Sequence, residues 1–353
     1  MKIEKLYPEF KDNIWGGKKL INHYGKECQN DICAESWELS FHPDGPSKIA
    51  SGELLSSVIT KDDLGKNADG FEMFPMMIKL IDAKDNLSVQ VHPSDEYALK
   101  NENSYGKTEM WYIVEADEGA GIYLGFSRDV TKDEVEAAIA DNSLTDLMNF
   151  FEVKSGDCFF IPSGTIHAIG TGCLIYEIQQ NSNLTYRVYD YGRRDKNGNT
   201  RELHIDKALK VLDLSAYERS EQAGELLGIS KYFTARKITL SEEKKEFAKD
   251  TSGFRCVTVV KGGGSINGTP ISQGDSYFIP ATADGFTLSG NMTVILAELR
   301  GYGIRTSLSA NGVTAELYDD TELVVASFTS STENEAIARL CKKANITLAD
   351  IVL

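Results

Sequence analysis

The sequence predicts a mainly β protein: two related β-barrels with a few helices, then a short α/β extension at the C-terminal end. Three observations predict it. Short runs rich in Val, Ile, Phe and Tyr recur along the chain, each bounded by Gly, Asp, Asn or Pro, which is the pattern of an all-β protein. Helical periodicity is confined to a few segments. Finally, Gly156-Asp-Cys-Phe-Phe-Ile-Pro162 recurs as Gly274-Asp-Ser-Tyr-Phe-Ile-Pro280. Each copy reads as a turn feeding a strand and then a Pro-led loop, as duplication of one barrel would give.

In chain order, strands are expected at Met76–Ile81, Met110–Glu115, Gly121–Phe126, Asp157–Ile161, Leu174–Gln179, Arg255–Val260 and Met292–Leu299. Helices are expected at Lys132–Ala140, where Thr131 suits an N-cap, and at Leu144–Phe150, Ile205–Leu212 and Glu333–Ala344. Thr332 and Glu335 read as a capping box for the last of these. The polar stretch Gly192–Thr200 reads as a loop, and the charged segment Ser241–Asp250 belongs in or near the first hairpin of the second barrel. From about Ile304 two short strands, the last helix and an apolar run, Ile351–Leu353, look like the opening of a separate α/β unit. The expected domains are a first barrel over residues 1–230, with helical segments near 131–150 and 205–215, a second barrel over 231–303, and an extension of unassigned role over 304–353.

At 353 residues the chain can bury a sizeable core. No apolar run approaches the roughly 20 residues of a membrane helix. The opening MKIEKLYPEFKDNIWGG has no stretch of signal-peptide type, so a cytoplasmic location without membrane association is expected. A net charge of -16 argues against nucleic acid as a partner but leaves room for a small phosphorylated ligand, which needs only a few local cations. The six cysteines form no C-x-x-C pair. Free thiols are expected, including at Cys28 and Cys33, whose spacing alone would also suit a metal pair. The sequence leaves the oligomeric state open.

Chemistry concentrates in three places. Gln90-Val-His92 puts two side chains on one face of a strand, because i and i+2 point the same way. Glu109 stands just ahead of the strand Met110–Glu115. The segment Gly156-DCFFI-Pro162-S-Gly164-TI-His167 is complete as the second motif of a cupin-like (jelly-roll) barrel, in which a sharp Pro/Gly corner aims one imidazole inward. Two imidazoles, a carboxylate and an amide oxygen converging in a barrel would suit zinc. A lone histidine on a strand is usually only packed, and His23, His42 and His204, which lack such a setting, are read as structural.

Several ordered blocks make the chain resemble the type I mannose-6-phosphate isomerases, in their shorter bacterial form, from about Lys5 to Leu299. They are PEFKDNIWGGKKL, AESWELSFHPDG, FPMMIKLIDAKDNLSVQVHP, GKTEMWYIVEA, IPSGTIHAIG and YEIQQNSNLTYRVYDYGR. The resemblance implies a zinc-dependent interconversion of mannose 6-phosphate and fructose 6-phosphate through a cis-enediol(ate), with one Zn2+ per chain. It implies His92, Glu109 and His167 as metal ligands and Gln90 as a fourth, although short members can manage with three protein ligands. It places Arg187 at the catalytic arginine, and Lys107, Ser88, Lys79 and Glu177 at substrate-side positions. Lys107 and Glu177 are both candidates for the proton-transferring base. Arg193 and Arg194 are alternatives to Arg187, while Trp15 and Trp37 read as core aromatics rather than substrate platforms.

The second barrel should hold no metal, because counting from Gly274 as from Gly156 puts Gly285 where His167 would be. Two other readings stay open. One is a non-haem iron oxygenase, whose facial triad uses similar ligands. The other is a sugar-binding cupin without turnover.

Overall fold

The computed structural model describes residues 1–194, 198–219, 224–320 and 324–344. The middle of the polar loop 192–200 and the run Ile351–Leu353 lie outside the described residues. The chain divides into two compact units. One comprises Pro8–Ser47 and Met77–Arg219; the other comprises Met1–Tyr7, Lys48–Met76 and Ser220–Leu353.

The first of these units contains two antiparallel sheets. A six-stranded sheet runs in the order Glu9–Lys11, Glu35–Leu39, Met76–Ala83, Cys173–Gln180, Glu109–Ala116, Cys158–Ile161. A five-stranded sheet runs Tyr186–Tyr189, Val89–Val91, His167–Ile169, Gly121–Phe126, Met148–Glu152. One apolar cluster joins Ile113, Phe159 and Ile175 of the former to Ile122, Leu124 and Ile169 of the latter, so the sheets pack face to face. The five-stranded sheet shows why alternation matters. Val89, Val91, Ala168, Tyr186 and Val188 point outward and are covered by Val135, Leu144 and Leu209 of the helical segments. Gln90, His167 and Arg187, one residue out of step, therefore point inward.

The other unit is built on a seven-stranded antiparallel sheet of long hairpins, including Thr234–Ala248, Arg255–Ile266 and Gly285–Glu298. Its interior is filled by apolar side chains such as Val257, Leu288, Met292 and Leu296. Gly285 adopts φ +103 and a Cβ there would lie 2.5 Å from the Phe247 carbonyl oxygen, so the position opposite to a ligand admits no side chain at all. The extension is a three-stranded antiparallel sheet, Tyr302–Ser309, Gly312–Asp319 and Val324–Ser330, with the helix Glu333–Ala344 packed on it through Ala336 and Leu340. It has one strand more than expected.

The barrel expectation is corrected here. Among the described residues none of the four sheets closes on itself: Glu9–Lys11 and Cys158–Ile161 end the six-stranded sheet, and Tyr186–Tyr189 and Met148–Glu152 end the five-stranded one. Jelly-roll barrels are therefore not present; the mainly β content is. Hydrophobic alternation reports which face of a strand is buried, and that is the same in a closed barrel and in two open sheets packed together. The repeated heptapeptide, by contrast, has a real local counterpart. Gly156 and Gly274 have φ +97 and +89. Their N–H groups donate to Ile113 O and Val259 O at 2.9 and 2.8 Å, and the Asp157 and Asp275 carboxylates accept from Lys154 N–H and Ser272 N–H at 2.9 and 3.0 Å.

Two smaller expectations also change. Leu144–Phe150 is a single 3-10 turn, Leu144–Leu147, followed by the edge strand Met148–Glu152. Cys28 and Cys33 are joined in a disulfide, with Cα atoms 6.1 Å apart, whereas Cys158, Cys173, Cys256 and Cys341 are buried thiols outside any disulfide. The helix Lys132–Ala140 has the expected bounds and a full capping box between Thr131 and Glu134. Among the described residues no helix is long and apolar enough to cross a membrane.

Candidate metal centre and active site

The strand register assembles the site. Gln90 pairs with His167 on one side and Arg187 on the other, giving a row of three inward side chains across the five-stranded sheet. On the facing sheet Trp37 pairs with Lys79, Glu177 with Trp111, and Gln179 with Glu109. Period-2 alternation puts Glu35, Trp37, Lys79, Glu109 and Glu177 on its inner face.

His92, Glu109 and His167 form a buried trio whose ligand atoms lie within 4.8 Å of one another. His167 Nε2 is 3.3 Å from Glu109 Oε1, and His92 Nε2 is 3.6 Å from Oε2. Each imidazole is held from behind: His92 Nδ1 meets the Leu184 carbonyl at 2.9 Å and His167 Nδ1 the Thr165 carbonyl at 2.8 Å. A carbonyl can only accept, so the protons sit on Nδ1 and both Nε2 lone pairs face Glu109. Both Glu109 oxygens are buried; Oε1 has no hydrogen-bond donor among the described residues, and Oε2 is met by the Lys107 ammonium. Two imidazole lone pairs and a buried carboxylate aimed at one point fit a divalent cation of the zinc type. Gln90 is within reach, its amide nitrogen 3.3 Å from His167 Nε2. It would have to turn its amide over to offer oxygen to a metal.

Around the trio runs a line of alternating charge. Lys107 Nζ is 2.6 Å from Glu109 Oε2 and 3.6 Å from Glu177 Oε1. Lys79 Nζ is 3.6 Å from both Glu177 and Glu35 and lies 4.7 Å over the Trp37 ring. Trp111 Nε1 donates to Glu177 Oε2 at 2.7 Å, while Oε1 accepts no hydrogen bond. Burial pushes the Glu109 carboxyl up to about 7, with Glu177 adding to the rise. Burial also lowers both imidazoles, His167 to about 4. Burial alone would lower Lys107 and raise Glu177, but the neighbouring opposite charges outweigh it and move each the other way.

A cavity of about 470 Å³ opens over this floor. The substrate-side candidates Ser88, Lys79, Lys107, Glu177 and Arg187 all line it, as does Gln90. Arg187 is fixed by Nε donating to Ser88 Oγ at 3.2 Å and Nη1 donating to the Glu202 carbonyl at 3.0 Å. Arg193 and Arg194 are engaged elsewhere, with Asp190 and the Gly198 carbonyl, and do not line the cavity. Sequence reading missed Glu35, Arg201 and His204, which do. Trp15 and Trp37 are buried, as expected of core residues, yet both also border the cavity. The Glu35-x-Trp37 spacing on a strand was the one available signal, and it shows in the Trp37 Nε1 bond to Glu35 at 2.7 Å.

The family described as phosphomannose isomerase type I, catalytic domain, matches residues 3–141, and that described as mannose-6-phosphate isomerase, cupin domain, matches residues 225–299. Mannose-6-phosphate isomerase ManA of Bacillus subtilis is 36% identical over 320 residues, covering 85% of this chain and 100% of its own length. Mannose-6-phosphate isomerase of Streptococcus mutans is 35% identical over 310 residues, covering 83% of this chain and 97% of its own. A crystal structure of the mannose 6-phosphate isomerase from Bacillus subtilis superposes with a TM-score of 0.76 at 34% identity, covering 84% of this chain and 99% of that one.

Proposed function

The chain belongs to the type I mannose-6-phosphate isomerase family, and from that premise we propose that it interconverts D-mannose 6-phosphate and D-fructose 6-phosphate with one zinc ion per chain. The observation that carries the proposal is the trio His92, Glu109 and His167, its lone pairs converging beneath a polar cavity that Lys107, Glu177 and Arg187 line. A zinc ion held there, with Gln90 as a possible fourth ligand, would supply Lewis acidity to the sugar oxygens and leave a coordination position open for them.

The chain's own groups divide the remaining work. Glu177 Oε1, buried and without a hydrogen-bond donor on it, takes the proton from C2 as the C1=C2 bond forms. The Lys107 ammonium, 3.6 Å away, gives a proton to O1. The resulting cis-enediol collapses the other way: O2 returns its proton to Lys107 and Glu177 delivers its proton to C1, so that atoms and charge balance. Lys107 and Lys79 together keep Glu177 charged at the start of each cycle. Arg187, fixed by Ser88, offers its remaining N–H group to an anionic oxygen of the substrate phosphate. The enclosure of the cavity fixes the sugar in reacting geometry, an effect that can reach about 7–11 kcal/mol.

A coupled assay of mannose 6-phosphate conversion tests this before and after chelation and zinc return. Activity should vanish with chelator, recover with zinc and be absent in His167→Ala. Glu177→Gln should keep zinc but lose about 10²–10⁴ in kcat. A folded, zinc-loaded protein with no turnover on either sugar phosphate would refute the isomerase reading and favour a binding protein.

A further inference from the structure

We propose that Arg201 and His204, with Asp190 as a positioning residue, form the seat for the phosphate group of the substrate and so set its specificity for a phosphorylated sugar. The inference rests on the isomerase reading above, but its observations are separate.

Arg201 spends two of its nitrogens on one buried carboxylate: Nε donates to Asp190 Oδ2 at 2.8 Å and Nη2 to Oδ1 at 2.5 Å. Its Nη1 has no partner among the described residues, although Arg201 lines the cavity. Arg193 clamps Asp190 from the other side and donates to the Asn86 carbonyl, which leaves it committed. His204 accepts the Arg187 backbone N–H on Nδ1 at 3.2 Å. A neutral imidazole that accepts on Nδ1 carries its proton on Nε2. That N–H lies 4.0 Å from the Glu202 carboxylate, beyond hydrogen-bonding reach, and Glu202 is 84% exposed. Arg187 Nη2 is likewise unused among the described residues. Three donors without a partner among the described residues thus border the same cavity.

Charge decides which end takes the phosphate. At the floor Lys79 and Lys107 are already faced by Glu35, Glu177 and Glu109. A dianion there would meet three carboxylates. At the other end Arg187, Arg193 and Arg201 gather around Asp190 alone among buried carboxylates, and the cationic crowding is strong enough that Arg201 lowers the pKa of Arg187, second to burial. Guanidinium groups also match phosphate geometry better than ammonium groups do. Spacing agrees. Arg187 and His167 are separated by the Gln90 strand, so their backbones stand about 9–10 Å apart at two inter-strand spacings. That is comparable to the reach from C1 to the phosphorus of an extended hexose 6-phosphate, with C1 and C2 at the metal end.

The test measures inorganic phosphate binding by calorimetry and mannose 6-phosphate kinetics for the native protein, Arg201→Ala, Arg201→Lys and His204→Gln, zinc-loaded and chelated. The expected result is phosphate binding that survives chelation in the native protein and is lost in Arg201→Ala. KM should rise about tenfold or more, with a much smaller fall in kcat. Arg201→Lys, which cannot both hold Asp190 bidentately and reach the cavity, should fall between, and it serves if the alanine variant does not fold. Native-like phosphate binding and KM in the Arg201 variants would overturn the seat. So would native phosphate binding that disappears with the metal. Native protein without turnover, but with phosphate binding that depends on Arg201, would instead sink the isomerase reading and leave the seat standing.

Discussion

Buried beside two imidazole lone pairs, and with no donor on Oε1 among the described residues, Glu109 has a carboxyl that burial drives up to about 7. Lys107 compensates part of that charge at 2.6 Å, and a divalent cation would compensate the rest. Zinc that binds only the folded state stabilises by mass action, about 2.7 kcal/mol at a hundredfold excess over Kd. The native protein should therefore gain thermal stability on zinc addition, whereas Glu109→Gln should gain none; equal gains in both would place the metal elsewhere. Asp190 makes the matching case at the other end of the cavity. Burial alone would raise its pKa, but the hydrogen bonds from Arg201 and Arg193 outweigh it and hold the carboxyl below its ordinary value near 3.9. A depressed folded pKa means stability that is fully present above the unfolded value and lost as pH falls through the folded one. Urea unfolding should show Asp190→Asn destabilised at about pH 7, with the difference from native closing as pH drops below about 3.9. A pH-independent difference would mean that packing, not charge, is what the variant loses. Residues of this kind differ in how readable they were. His92, Glu109 and His167 sit in local motifs, and Lys107 and Glu177 follow from ordered blocks of resemblance. Of Glu35, Arg201 and His204, Glu35 alone carried a local signal, its spacing to Trp37 on a strand; the other two reach the cavity through a bend that no local pattern marks.

Elements turn such residues into a site, and the corner before His167 shows how. Gly164 holds φ +89, donates its N–H to the His92 carbonyl at 2.8 Å and accepts from Asp213 N–H at 2.8 Å. One turn thus fixes the chain at both His92 and His167, the two candidate imidazole ligands. A Cβ there would stand 3.0 Å from the Val211 carbonyl oxygen in a left-handed backbone, a strain of about 1–3 kcal/mol. Gly164→Ala should be destabilised by that order and should bind zinc about tenfold more weakly or worse, as loss of ligand support does elsewhere. Competition with a chromophoric chelator reads the affinity, and a native value would show that the corner does not set ligand geometry. At this scale the sequence was legible wherever period and capping agreed, as at Lys132–Ala140 with its Thr131 cap. It failed at Leu144–Phe150, where Met148, Phe150 and Phe151 can be read at helical spacing. There, pairing of Ile122 with Phe151 and the bonds from Asn149 to the Leu124 and Phe126 carbonyls draw the segment into a sheet. Long-range pairing of that sort, like the presence or absence of closure between the first and last strands, leaves no trace in local alternation.

For the whole molecule, the repeated Gly-Asp turn reproduces its hydrogen bonds in both compact units, yet the two sheets beyond it diverge completely in what they enclose. Between the five- and six-stranded sheets lie the charged line and the metal trio; inside the seven-stranded sheet Val257, Leu288, Met292 and Leu296 fill the space, and Gly285 admits no ligand. All candidate ligands and every cavity-lining residue at the site fall within Pro8–Ser47 and Met77–Arg219. Cation binding should then act unevenly. A cation held by His92, Glu109 and His167 would tie Val89–Val91 and His167–Ile169, neighbours in the five-stranded sheet, to Glu109–Ala116 of the six-stranded sheet, which faces them across a gap bridged only by side chains. Hydrogen exchange on chelated protein, repeated after zinc return, should show added protection at those amides and little change in Arg255–Ile266 or Gly285–Glu298. A gain of equal size in the seven-stranded sheet would contradict that assignment, because among the described residues no ligand cluster lies within that sheet. Its protection would then have to come from cooperative unfolding of the entire chain rather than from the ligands themselves.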